Sequence, residues 1–172
     1  QTVTPSEEQL ARTRAERARV RAAKSRRIER TDGLEGLRRG FIWPVTGPIS
    51  GVYGSQRILN GQPRQPHYGI DIAAPTGTPV YAPASGLVTL VEDLYFSGHT
   101  VVIAHGLGVN SSFLHLDRAD VKTGMMVERG ALIGTIGATG RATGPHLDWR
   151  IDWQGRRIDP GLLVGAMPNP AS

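Results

Sequence analysis

GLVTLVEDLYFSGHTVVIAH, residues 86–105, decides the fold. It holds two runs rich in β-branched residues, GLVTLVED (86–93) and TVVIAH (100–105). Between them SGHT (97–100) reads as a hairpin turn. Neighbouring runs joined by a tight turn pair antiparallel. Six further runs of the same kind follow this pattern: ISGVY (49–53), YGIDIA (68–73), TPVYAP (78–83), SSFLHL (111–116), ALIGTIG (131–137) and HLDWRIDW (146–153). Gly and Pro punctuate the chain from Phe41 onward. The expectation is a mainly β domain of antiparallel strands, with one helical turn over LDRADV (116–121).

Residues 1–32 have a different character. They are rich in Ala, Arg and Glu, lack Gly, and contain one Pro, Pro5. TPSE (4–7) has the form of a capping box, with Thr4 as N-cap, Pro5 at the first helical position and Glu7 at the third. A helix from about residue 5 to about residue 30 follows. Its large apolar residues are few, Leu10, Val20 and Ile28, so the stripe is thin and the helix reads as exposed or weakly docked. A spacer to an upstream domain or a contact with a partner protein fits such a helix. The organisation expected is a basic helical segment and linker over 1–40, a β domain over 41–165 and a tail over 166–172.

Charge follows this division. Residues 1–40 hold 11 Lys/Arg and 6 Asp/Glu, whereas residues 41–172 hold 9 of each. A nucleic-acid binder carries its basic footprint on the folded part, so the neutral β domain argues against nucleic acid as partner. The glutamates that interrupt the helix arginines favour a solvated face. With no Cys, disulfides and thiolate metal sites are excluded. No uninterrupted apolar run is long enough to span a bilayer, and no signal peptide is visible after Gln1.

The chemistry rests on few residues. In HYGID, His67 precedes Asp71 by four positions, with His67 just before or at the start of a strand. In HLDW, His146 and Asp148 share a strand face, because side chains alternate with period 2. His115 lies in SSFLHL between apolar neighbours. Each has an ordinary reading. A His beside apolar residues is commonly a hydrogen-bonded core residue, Asp71 could cap a turn, and Asp148 could pair with Arg150 on the same face. His99 and His105 read as structural.

Taken in order, the motifs are more specific. FIWPVTGPISGVYG (41–54), HYGIDIAAPTGTPVYAPASGLV (67–88), SSFLHL (111–116) and GALIGTIGATGRATGPHLDW (130–149) resemble the LytM or lysostaphin-type zinc metallopeptidase domain, the M23 family. The resemblance covers nearly three-quarters of the chain. It implies one zinc ion held by His67 and Asp71, with His115 and His146 catalytic. The last motif of the family is normally HxH, and its second His is the third ligand. Here that position is Asp148.

Zinc accepts carboxylate oxygen as readily as imidazole nitrogen, so the resemblance implies Asp148 as third ligand. An extra negative charge implies weaker activation of water, or a divalent metal that prefers oxygen. The activity implied is that of a metalloendopeptidase acting on peptidoglycan peptides, and the compartment implied by that substrate is the periplasm or cell envelope. The alternative is a non-hydrolytic module that binds peptidoglycan or activates a partner cell-wall hydrolase.

Overall fold

The computed structural model describes residues 5–28, 33–59 and 61–168. The chain begins with α1 (Glu7–Ser25) and the short α2 (Gly33–Arg38). The strands are β1 (Ile49–Gly51), β2 (Ile58–Leu59), β3 (Gln62–Pro63), β4 (Ile70–Ala73), β5 (Pro79–Tyr81), β6 (Gly86–Leu94), β7 (Gly98–Gly106) and β8 (Val109–Ala119). Then come β9 (Met126–Val127), β10 (Leu132–Ile136), β11 (His146–Trp153), β12 (Arg156–Ile158) and a 3-10 turn, Pro160–Leu162. Each of the eight expected runs contains a strand, and the fold is mainly antiparallel β with an N-terminal helix. The main sheet runs β1-β4-β11-β8-β7-β6-β9, with β10 joining β8 to β5 and β12 pairing with β11.

Period-2 alternation along β11 explains how the sheet separates core from site. Leu147, Trp149 and Ile151 are fully buried and enter the main core with Ile72, Phe113 and Ile133. Trp149 meets Trp43 edge-on, ring centroids 6.0 Å apart. His146, Asp148, Arg150 and Asp152 therefore line the opposite face in one polar row.

Helix α1 docks on that opposite face. Its apolar contribution is small: Ala23 and Val20 pack on Leu90 of β6 and Val102 of β7. Polar contacts supply the rest. Buried Glu16 accepts from Arg12 Nε at 2.6 Å and from the Tyr95 amide at 3.0 Å. Arg19 pairs with Glu92 at 2.9 Å, Lys24 with Asp152, and Asn110 Nδ2 donates to the Lys24 carbonyl at 3.0 Å. None of the described helices is long and apolar enough to cross a membrane.

Three local expectations need correction. The N-cap of α1 is Ser6: its hydroxyl accepts from the Gln9 amide at 3.2 Å and Gln9 Oε1 accepts from the Ser6 amide at 2.8 Å. The reciprocal pair requires an acceptor long enough to reach back, and Gln9 supplies it. Thr4, the expected cap, residues 29–30 at the expected helix end and residues 169–172 of the tail lie outside the described residues. LDRADV forms no helical turn, because β8 runs on to Ala119, where Arg118 and Ala119 pair with Thr135 and Gly134 of β10. His99 lies within β7 just past the turn, opposite Asp93.

Candidate metal centre

Two strands build the centre. In the antiparallel β4–β11 pair, Asp71 stands directly opposite Asp148, and His146 opposite Ala73. Directly opposed carboxylates repel unless a cation lies between or beside them. His67 enters from the extended segment before β4, held by its amide on the Ser55 carbonyl at 2.9 Å and by the Gly54 amide on its own carbonyl at 2.7 Å. One donor atom each from His67, Asp71 and Asp148 lies within 4.8 Å of the others. His67 and Asp148 are each 2% exposed.

The donor set fits a divalent ion. His67 Nε2 and Asp71 Oδ1 face each other at 2.9 Å, both buried and neither aligned for a hydrogen bond. Buried polar atoms in native folds nearly always have a partner, and an ion between these two would be one. Burial works against the Asp71 charge, but His67, His146 and Arg57 outweigh it and hold its pKa below the usual value.

Two arginines already answer the carboxylates. Arg150 Nε donates to Asp148 Oδ1 at 2.9 Å and its Nη2 to Oδ2 at 2.6 Å, a two-pronged pair. Arg57 Nη2 donates to Asp71 Oδ2 at 3.0 Å and lies 2.8 Å from His67 Nδ1. A guanidinium can only donate, so Nδ1 accepts and the proton of the neutral His67 ring sits on Nε2. To hold an ion through Nε2, His67 would have to carry its proton on Nδ1 instead, and Arg57 Nη2 would then have to turn away. Arg150 was legible two residues from Asp148, whereas Arg57 lies in a loop with no pattern to mark it.

His115 and His146 stand beside the centre with ring centroids 4.9 Å apart. His146 Nε2 is 3.9 Å from Asp71 Oδ1. His115 Nδ1 donates to the Thr139 carbonyl at 2.8 Å and His146 Nδ1 to the Gly144 carbonyl at 2.9 Å. A carbonyl accepts only from N–H, so in each neutral ring the free lone pair is on Nε2. Burial lowers the His115 pKa, against the Thr139 hydrogen bond and Asp148. His115 also has φ +63° in mid-strand, a left-handed backbone that bulges β8 at the site. His99 and His105 lie elsewhere. His99 Nδ1 meets the Asp117 carbonyl at 2.9 Å, and His105 meets Ser111 Oγ at 2.7 Å.

Gly69 cradles the pair on β11. A Cβ there would meet Asp148 Oδ1, with Arg150 Cγ at 2.8 Å and the Trp149 carbonyl oxygen at 2.9 Å. Gly69→Ala is expected to push the Asp148 carboxylate aside and lower stability by ~1–3 kcal/mol, as overpacking does. Urea unfolding of the variant measures this, and unchanged stability would mean that the neighbours yield freely.

Residues 65–160 match the family model described as Peptidase family M23. The peptidoglycan DD-endopeptidase ShyA of Vibrio cholerae is 44% identical over 129 residues, 73% of this chain and 30% of that protein. The murein hydrolase activator EnvC of Escherichia coli K12 is 36% identical over 138 residues, 80% of this chain and 32% of that protein. The crystal structure of a zinc-containing peptidase from Vibrio cholerae has a TM-score of 0.68 and 36% identity, covering 76% of this chain and 41% of that one. The chain thus spans about a third or less of the length of these curated relatives.

Proposed function

The chain belongs to peptidase family M23, and on that premise we propose that it hydrolyses peptide bonds of bacterial peptidoglycan with one divalent ion, zinc first, held by His67, Asp71 and Asp148. The single observation that carries this reading is the facing at 2.9 Å of two buried atoms that make no hydrogen bond, His67 Nε2 and Asp71 Oδ1, with an Asp148 oxygen in reach. When bound, such an ion polarises a carbonyl and makes water more acidic. The other steps fall to side chains of this chain. His115 and His146 are oriented by carbonyls so that each presents Nε2. A neutral ring accepts the proton of the attacking water at Nε2, and the ring that donates to the oxygen that gains charge must do so in its doubly protonated form. The place of work is then the periplasm or cell envelope.

A second reading, a non-hydrolytic module that binds peptidoglycan or activates another wall hydrolase, is favoured by one observation. Arg150 occupies both oxygens of Asp148. The likeness to EnvC adds to it.

Elemental analysis of the purified chain, followed by digestion of purified peptidoglycan, separates the two. The first reading expects about one zinc per chain, release of peptides, loss of release in chelator and its return with zinc. Metal-free protein that releases nothing but stimulates another wall hydrolase would replace the first reading with the second.

A further inference from the structure

A cleft of about 920 Å³ lies on the site face, with α1 as one wall and β7, β8 and β11 as its floor. His115, Asp148 and Arg150 line it. From α1 it takes Thr13, Glu16, Arg17, Val20, Arg21 and Lys24, a single helical face by their three- and four-residue spacing. Seven Arg or Lys side chains line this cleft against three carboxylates.

Those carboxylates are already partnered. Glu16 pairs with Arg12, Asp148 with Arg150, and Asp152 with both Lys24 and Arg157. Arg17, Arg21 and Arg141 are left with no ion pair among the described residues. Arg141 is nonetheless positioned. Its amide donates to the Phe96 carbonyl at 2.9 Å, and its guanidinium lies over the Phe96 ring at 5.9 Å. It shares a loop with Thr139, whose carbonyl orients His115. Lys24 reports the same surplus: burial lowers its pKa against the pull of Asp152, and Arg157 and Arg150 lower it further.

We propose that Arg17 and Arg21 of α1, with Arg141 of the loop before β11, form a carboxylate-binding subsite, so that α1 is a wall of the substrate cleft and the ligand is an anionic peptide. This rests on the proposed function and refines it. Peptidoglycan stem peptides carry free carboxylates, whereas glycine bridges carry no side-chain charge. Guanidinium groups bind carboxylates through paired, charge-assisted hydrogen bonds, and a partly enclosed cationic cleft gathers anions. The expected preference is therefore for acidic peptides over uncharged ones.

The test is binding to the full chain held in chelator, where turnover does not interfere. The probes are a purified crosslinked stem peptide, the same peptide with its carboxylates amidated, pentaglycine, and a short DNA duplex. The acidic peptide is expected to bind roughly tenfold tighter than its amidated form and to weaken as salt rises. Arg17→Gln with Arg21→Gln, and separately Arg141→Gln, should each remove most of that preference and leave the amidated peptide unaffected.

Equal binding of acidic and amidated peptides, or variants that bind like the wild type, would overturn the subsite. DNA bound as tightly with the same arginine dependence would also overturn it, as an unselective polyanion surface. Zinc-restored hydrolysis without arginine dependence sinks the subsite and leaves the hydrolase. Arginine-dependent binding without hydrolysis does the reverse.

Discussion

Replacing His115 by alanine is expected to slow peptide release by ~10²–10⁴-fold while zinc content stays at the wild-type level. His67→Ala should instead remove the metal itself. The contrast follows from geometry. His67 presents a buried Nε2 to Asp71 without a hydrogen bond, whereas His115 spends Nδ1 on the Thr139 carbonyl and offers its other nitrogen to the cleft. Burial lowers the His115 pKa, so the ring is neutral at pH 7 and competent as a base. The decline in rate that protonating His115 causes should therefore come at a lower pH than for an unburied histidine base. Stability has the corresponding sign. As pH falls below the unfolded pKa the unfolded chain takes the proton first, so the histidine costs stability there and contributes nothing above it. Alanine at φ +63° is more strained than histidine, which is among the residue types enriched there. His115→Asn, whose side chain tolerates that backbone, is the folding control and should be equally inactive. Full turnover in a folded His115 variant would remove this residue from the mechanism.

The fold was legible because its strands announce themselves. β6, β7 and β11 are long, β-branched or alternating, and bounded by Gly or turn residues, and the tight turn between β6 and β7 also gives their pairing. The convergence of His67, Asp71 and Asp148 was legible only through the ordered motifs. Spacing puts His146 and Asp148 on one face, but the register that sets Asp148 against Asp71 belongs to the β4–β11 ladder. Where reading failed, a distant partner decided the matter. The segment 116–119 stays extended because β10 pairs with it. Helix α1 is weakly docked by apolar packing, as its thin stripe implied, but its polar anchors Glu16, Lys24 and Asn110 have no period to mark them. Arg57 reaches His67 and Asp71 from a loop, and nothing local foretold it.

Asp148 is where ligand and structural roles compete, and Arg150→Met separates them. The carboxylate is 2% exposed and both its oxygens accept from Arg150, at 2.9 and 2.6 Å. Removing the arginine leaves a buried charge opposite a second carboxylate, Asp71. Breaking one side of a buried pair costs ~3–5 kcal/mol, so the variant in chelator should unfold at clearly lower urea than the wild type. Methionine keeps most of the arginine stem volume, which confines the loss to charge.

Zinc should then reverse the loss. With Arg150 gone, the Asp148 oxygens are free to ligate, and a ligand that binds only the folded state stabilises it in proportion to the logarithm of its concentration over Kd. The zinc-induced gain should be larger in Arg150→Met than in the wild type, where the ion must first displace the arginine. Asp148→Asn in the same background supplies the control, since the amide removes the charge that both roles need. If zinc raises the stability of wild type and Arg150→Met by the same amount, Asp148 does not reach the ion, and its carboxylate serves the arginine alone.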